Sequence, residues 1–165
     1  MNYHNILHDN MLNGEGLRVV LFLSGCTHNC LECHNPETHP LDSGIPFDDD
    51  AKQEIFEQLS KPYIKGITFT GGDPLHPENA KEVYELIHEI DEKFDDKDIW
   101  IYTGYKYEDL WGQQLKTANH ADVLVDGKFL KLLADVNAPY VGSTNQRIID
   151  IPATWASGKI TKYEC

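Results

Sequence analysis

Three of the chain's four cysteines, Cys26, Cys30 and Cys33, fall within eight residues, in the run Ser24-Gly25-Cys26-Thr27-His28-Asn29-Cys30-Leu31-Glu32-Cys33-His34-Asn35. Thiols clustered in this way are soft ligands and ask for a metal. The spacing is Cys-x3-Cys-x2-Cys with no second cysteine pair, whereas structural zinc normally closes its tetrahedron with two ligand pairs. Three thiolates on one tight loop suit a [4Fe-4S] cluster that keeps one iron free of protein ligands, and an open iron is a place for chemistry. Plainer arrangements use the same residues: buried structural cysteines, a disulfide beside a free thiol, or a zinc ion with His34 as fourth ligand. Disulfides are rare in reducing compartments, and neighbours such as Cys33 and His34 seldom converge on one ion, so the cluster is the favoured expectation. Cys165, at the chain end, is expected to be an unliganded surface thiol.

The elements that must position this loop can be read on either side of it. Residues 17–23 are nearly continuous Val, Leu and Phe, the pattern of a parallel strand covered on both faces. The cysteine loop then follows the strand's C-terminal end, where alternating β/α folds gather their ligands. Residues 36–47, punctuated by Pro36, Pro40, Gly44 and Pro46, read as a loop. Asp48 or Asp49 caps a helix with Ala51, Ile55, Phe56 and Leu59 at helical spacing, ended by Pro62. Residues 66–70 form a second strand, followed at once by Gly71-Gly72-Asp73-Pro74, which taken alone is turn chemistry.

Residues 77–94 predict a helix with Val83, Leu86, Ile87, Ile90 and Phe94 on one stripe. Residues 98–102 predict a third strand ending in Thr103-Gly104, and Tyr107, Leu110, Trp111 and Leu115 a further amphipathic helix. A fourth strand over 121–125 leads into Asp126-Gly127-Lys128, which by itself reads as a hairpin turn with an exposed lysine. Past Leu130 periodicity fades, apart from a strand-like stretch at 147–151. Four strand–helix alternations and a late strand are too few for a closed eight-stranded barrel of about 250 residues. The expectation is an α/β fold, an open partial (β/α) barrel with a mostly parallel curved sheet, forming one domain over residues 1–165.

The formal charge of −13, from 27 acidic and 14 basic residues, argues against binding a nucleic-acid backbone. The longest apolar run, residues 19–23, falls far short of the roughly 20 residues of a membrane span. Met1-Asn2-Tyr3-His4-Asn5 has neither the basic region nor the apolar core of a secretory leader, so a cytoplasmic location is expected, with thiols kept reduced for metal.

The cysteine triad after a strand, followed by Gly71-Gly72-Asp73-Pro74, resembles the radical S-adenosylmethionine (SAM) superfamily, whose signature is this triad with a Gly-Gly-Glu-like turn. Asn13-Gly14-Glu15-Gly16, Thr70-Gly71-Gly72-Asp73-Pro74-Leu75, Ile101-Tyr102-Thr103-Gly104-Tyr105, Val125-Asp126-Gly127-Lys128-Phe129 and Gly142-Ser143-Thr144-Asn145-Gln146-Arg147 add a resemblance to the activating proteins of anaerobic ribonucleoside-triphosphate reductases. That likeness runs over nearly the full length.

The resemblance implies that Cys26, Cys30 and Cys33 are both the metal ligands and the catalytic centre, and that SAM is a second cofactor, chelated at the open iron. One electron, from a flavodoxin-like donor, would cleave SAM to methionine and a 5'-deoxyadenosyl radical. That radical would take a hydrogen atom from a glycine Cα in the large glycyl-radical subunit of the reductase. Gly71, Gly72 and Asp73 are implied as acceptors for the SAM ammonium; the superfamily normally has Glu where Asp73 stands, though this branch uses Gly-Gly-Asp-Pro. The backbone of Glu32, Cys33 and His34 is implied at the nucleoside, with Glu32 replacing the usual aromatic residue. Asp126, Lys128 and Thr103 are implied as further SAM contacts. Cys33-His34-Asn35 also resembles pyruvate formate-lyase activases, so another glycyl-radical enzyme is an alternative target. A noncatalytic zinc-binding interaction module is the alternative of a different class.

Overall fold

The apolar run near the N-terminus forms β2 (Arg18–Leu23), buried along nearly its whole length, and the sheet is laid out to both sides of it. The computed structural model describes residues 1–165. On one side of β2 lie β4 (Gly66–Gly71), β5 (Asp98–Tyr102) and β6 (Val123–Asp126), each parallel to its neighbour. The chain passes between them through α1 (Asp49–Leu59), α2 (Ala80–Lys93) and α3 (Gly112–Ala118). On the other side lie β1 (Asn2–Asn10) and the two-residue β3 (Ile45–Pro46), both antiparallel. The far edge is β7 (Arg147–Asp150), antiparallel to β6 and followed by α4 (Ile151–Ser157). The order β3-β1-β2-β4-β5-β6-β7 does not close.

The expectation of a mostly parallel sheet is corrected by this topology: the four inner strands are parallel, and the three outer ones are antiparallel. Strand β1 carries no strand signal in the sequence, because Asn2-Tyr3-His4-Asn5-Ile6-Leu7-His8-Asp9-Asn10 buries only Ile6 and so lacks a period-2 apolar pattern. Strand β7 returns from β6 through a loop with no long crossover helix, and such a connection permits antiparallel pairing.

Side-chain alternation along the strands builds two layers. Val19, Leu21 and Leu23, with Ile67, Phe69, Ile99, Ile101 and Leu124, face the helices and join Ile55, Leu59, Val83, Leu86, Ile87 and Ile90 in the main core. The opposite face carries Trp100, Val123 and Val125, packed by Tyr102, Tyr140, Ile148 and Tyr163. Arg18 belongs to this second face and is fully buried. Its Nε donates to Thr68 Oγ1 at 2.8 Å, Nη2 to the Ile67 carbonyl at 2.9 Å, and Nη1 to the Glu15 carbonyl at 3.0 Å. Nη1 also lies 2.6 Å from Asp98 Oδ1, and the guanidinium sits 5.3 Å from the centre of the Trp100 ring. Truncating this buried side chain leaves a cavity and strips Thr68, two carbonyls and the partly exposed Asp98 of their donor, together a cost of about 3–5 kcal/mol. Arg18→Ala is therefore expected to lower the melting temperature by about 10 °C in a chain of this size, read by thermal denaturation; a fall under about 3 °C would contradict this role.

The helices follow their sequence signals with three differences. Asp48 caps α1, accepting from the Ala51 N–H at 2.9 Å. Helix α2 starts at Ala80 and not at Pro77, because Asn79 at its N-cap sends its side chain to the Ser24 carbonyl, 2.7 Å away. The helix expected from Tyr107 onward is split into a 3-10 turn at Tyr107–Asp109 and α3, with Leu110 and Trp111 extended between them. Gly112, at φ +55°, takes the left-handed backbone that this break requires. Finally, α4 was not anticipated, although Asp150 caps it and Gly158 ends it. No helix is long and apolar enough to cross a membrane.

Candidate cofactor site

The site is assembled where β2 and β4 end side by side. Beyond Leu23 the chain turns through Ser24 and Gly25 into the cysteine loop. The loop is closed at its base by the Gly25 N–H on the Thr38 carbonyl (2.7 Å) and the Cys26 N–H on the His39 carbonyl (2.9 Å). The Gly-Gly-Asp turn after β4 is laced to it: Gly72 N–H donates to the Leu23 carbonyl and Asp73 N–H to the Gly25 carbonyl, each at 2.7 Å. A Cβ on Gly71 would lie 2.5 Å from the Leu23 nitrogen, and one on Gly72 would lie 2.7 Å from the Gly25 oxygen. Glycine stands at both positions because two backbones meet there with no room for a side chain.

Asp73 is the hub of three loops. Its buried carboxylate takes the Gly104 N–H at 2.9 Å, the Leu75 N–H at 2.9 Å and the Thr103 hydroxyl at 2.9 Å, and Oδ2 lies 2.6 Å from His28 Nε2. His28 in turn packs edge-on to Tyr105, with ring centres 4.5 Å apart. Gly104 has to be bare, since a Cβ on it would come within 2.5 Å of the His28 ring. The loops after β2, β4 and β5 are thus pinned to one carboxylate. Sequence reasoning gave His28 no role; its only signal is its place between Cys26 and Cys30, facing an acidic residue from the next turn.

A cavity of about 550 Å³ opens in front of this junction, lined by Cys26, Cys30 and Cys33 together with His34, Gly71, Gly72 and Thr103. Its size lies within the range of small-molecule sites. His34 leans on Phe129, another lining residue, with ring centres 4.8 Å apart. Asp73 stands behind the wall with its oxygens turned to protein donors. Glu32, at φ +55°, points its side chain out to Lys131 Nζ at 2.6 Å. A second cavity of about 520 Å³ shares His28, Gly104 and Gly127 with the first and is bordered by Asp126 and Lys128. Lys128 is exposed there. Asp126 is buried, accepting from Arg147 Nε at 2.9 Å and Nη2 at 2.5 Å and from the Tyr107 N–H at 2.8 Å. Arg147 also grips Glu108, whose carboxyl is pulled down to about 2 by that contact.

The donor set fits a polynuclear cluster. The three thiols border one cavity, and three soft ligands on one loop are what a [4Fe-4S] cluster takes. Burial pushes the Cys26 thiol up to about 11, and the negative potential of Asp73, Cys30 and Cys33 adds to it against the His28 backbone N–H. A metal bound there would have to displace that proton, and the positive charge of iron would supply the pull. His39 Nε2, a buried atom on the same wall, has no hydrogen-bond partner of its own.

Residues 12–149 match the family described as a 4Fe-4S single cluster domain. An anaerobic ribonucleoside-triphosphate reductase-activating protein of Enterobacteria phage T4 is 43% identical over 148 residues, covering 90% of this chain and 93% of its own. The protein of the same name from Haemophilus influenzae is 42% identical over 150 residues, covering 90% and 97%. That from Escherichia coli K12 is 41% identical over 148 residues, covering 88% and 96%. With this likeness along almost all of both sequences, the chain belongs to the family of anaerobic ribonucleoside-triphosphate reductase-activating proteins.

Proposed function

We propose that this chain is a radical SAM activase that installs a glycyl radical on the large subunit of an anaerobic ribonucleotide reductase. It works in the cytoplasm as one radical SAM domain, its open sheet serving as a partial barrel, and draws its electron from a flavodoxin-like donor. The observation that carries this reading is the meeting of Cys26, Cys30 and Cys33 with Gly71 and Gly72 on the walls of one cavity. In α/β folds such a place, beyond the carboxyl ends of neighbouring parallel strands, is where ligands bind.

Cys26, Cys30 and Cys33 hold the cluster, and the backbone at Gly71 and Gly72 accepts the SAM ammonium. When bound, the cluster supplies one electron to the SAM sulfonium, whose cleavage allows a hydrogen atom to be taken from a glycine Cα. The backbone of Glu32, Cys33 and His34 borders the nucleoside. Lys128, a primary amine exposed on the adjoining cavity, would be a further contact for SAM. Thr103 touches both the cavity and Asp73, so it transmits the position of one to the other. Asp73 and Asp126 act behind these groups: the first holds the three loops together, and the second fixes the strand end from which Lys128 projects. Holding the target carbon close and keeping water out is what the enclosing loops contribute. A glycine suits because no side chain shields its Cα.

The test is anaerobic incubation of the iron- and sulfide-loaded chain with SAM, dithionite and either the reductase or pyruvate formate-lyase, followed by electron paramagnetic resonance. A glycyl-radical signal on the reductase and none on the lyase is expected. Silence on the reductase at full cluster loading would overturn the reading.

A further inference from the structure

The cysteine loop is tied down at its base but has no backbone support between its first two thiols. Gly25 and Cys26 donate to the Thr38 and His39 carbonyls, and Cys33 donates to the Cys30 carbonyl at 3.2 Å, while Thr27, His28 and Asn29 make no backbone–backbone hydrogen bond. Asn29 stands in the left-handed region at φ +51°. Side chains therefore have to set the course of the chain from Cys26 to Cys30.

His28 does this. Its side chain is 8% exposed, with Nε2 2.6 Å from Asp73 Oδ2, the ring edge-on to Tyr105 and the bare Gly104 against it. A carboxylate only accepts, so Nε2 carries the hydrogen of that bond. Asp73 is itself fixed by the Gly104 and Leu75 N–H groups and the Thr103 hydroxyl, which anchors the ring to the ends of both β4 and β5. The backbone N–H of the same residue is directed at the Cys26 sulfur, where it works against the rise that burial gives that thiol. One residue thus grips the neighbouring loops with its ring and a cluster ligand with its amide.

Hydrogen bonds to the sulfurs of an iron–sulfur cluster tune its reduction potential, and a donor raises it, because the added electron increases the negative charge that the donor meets. We propose that His28 is a positioning residue for the cluster: its Nε2 bond to Asp73 aims its own backbone N–H at the Cys26 sulfur and so makes the bound cluster easier to reduce. The proposal rests on the functional reading above for a cluster at Cys26, Cys30 and Cys33, and on no step of SAM chemistry. Nε2 is not a ligand to iron, since Asp73 holds that nitrogen.

The experiment is an anaerobic redox titration of the iron- and sulfide-loaded chain, without SAM or reductase, followed by electron paramagnetic resonance of the reduced cluster. It compares the parent with His28→Phe, which keeps a ring against Tyr105 but loses the donor, and with His28→Gln, whose amide nitrogen takes the place of Nε2. His28→Phe should lower the equilibrium constant for reduction about tenfold, which is about 59 mV for one electron, and His28→Gln should stay within about threefold of the parent. A residue that only filled space would give the opposite order, with Phe like the parent and Gln displaced. That result, or a potential unchanged in both variants, would overturn the proposal. Should His28→Phe retain no cluster, electron–nuclear double resonance on chains carrying isotopically labelled histidine decides between the remaining two: a backbone nitrogen coupled to the reduced cluster is expected in the parent and lost in His28→Gln, and its absence from the parent would overturn the proposal. A parent that holds its cluster yet forms no 5'-deoxyadenosine from SAM would defeat the radical reading and leave the potentials to decide the role of His28. A parent that takes up no iron and sulfide would overturn both.

Discussion

Cys30→Ala should abolish 5'-deoxyadenosine formation, with a loss of at least about a hundredfold, while the metal-free chain melts within about 3 °C of the parent. The asymmetry follows from where the residue sits. Cys30 is half-buried on an irregular loop and makes no contribution to the main core, so truncating it leaves the packing of the sheet and helices intact. The same change removes one of the three thiols that line the cavity, and the proposed cluster, left with two protein ligands, would be neither retained nor poised. Iron and sulfide analysis alongside product assay checks both halves. Undiminished product from Cys30→Ala would show that this thiol does not hold the cluster.

Asp73→Ala should have the largest effect on the fold around the site. Four donors, the Gly104 and Leu75 N–H groups, the Thr103 hydroxyl and His28, lose their acceptor together in a buried place. Leaving a buried donor unsatisfied costs about 1–3 kcal/mol, and some of these will find water, so a total near 3–5 kcal/mol is expected. For a chain of this length that is a fall of roughly 6–15 °C in melting temperature, measured without metal or SAM. Asp73→Asn should fall between, since it keeps one oxygen acceptor but turns an amide toward the Gly104 N–H or His28. A metal-free Asp73→Ala chain as stable as the parent would mean that the carboxylate serves a ligand directly and does not pin the loops.

These two residues also mark what a linear reading could reach. The cysteine triad and the Gly-Gly turn were legible because their chemistry is local: three soft ligands within one loop, and two bare residues in a row at the end of a strand. The inner strands were legible because burial on both faces leaves unbroken apolar runs. The outer strands were not, because β1 is wet on most of its length and β3 has only two residues. Helix α4 was missed despite carrying both a capping Asp150 and a terminating Gly158, since its seven residues are too few to show a period. At the site, Asp73 and Asp126 were read as groups aimed at a ligand; only three-dimensional contact reveals that protein donors already occupy their oxygens. The role of Gly104 was invisible for the same reason, because what excludes a side chain there is the ring of His28, 76 positions earlier in the chain. The polar run at 142–146 carried a family likeness in the sequence, but that it braces the loop after β6 shows only in its bonds back to residues 127–130.

The most direct measurement is chromatographic quantitation of 5'-deoxyadenosine after anaerobic loading of the unmodified chain with iron and sulfide, then addition of SAM and dithionite. A cavity that holds a cluster with one free iron beside the Gly71-Gly72 turn will release that nucleoside in a reductant-dependent manner. A chain that binds about four irons and four sulfides yet yields none would contradict the account at its centre.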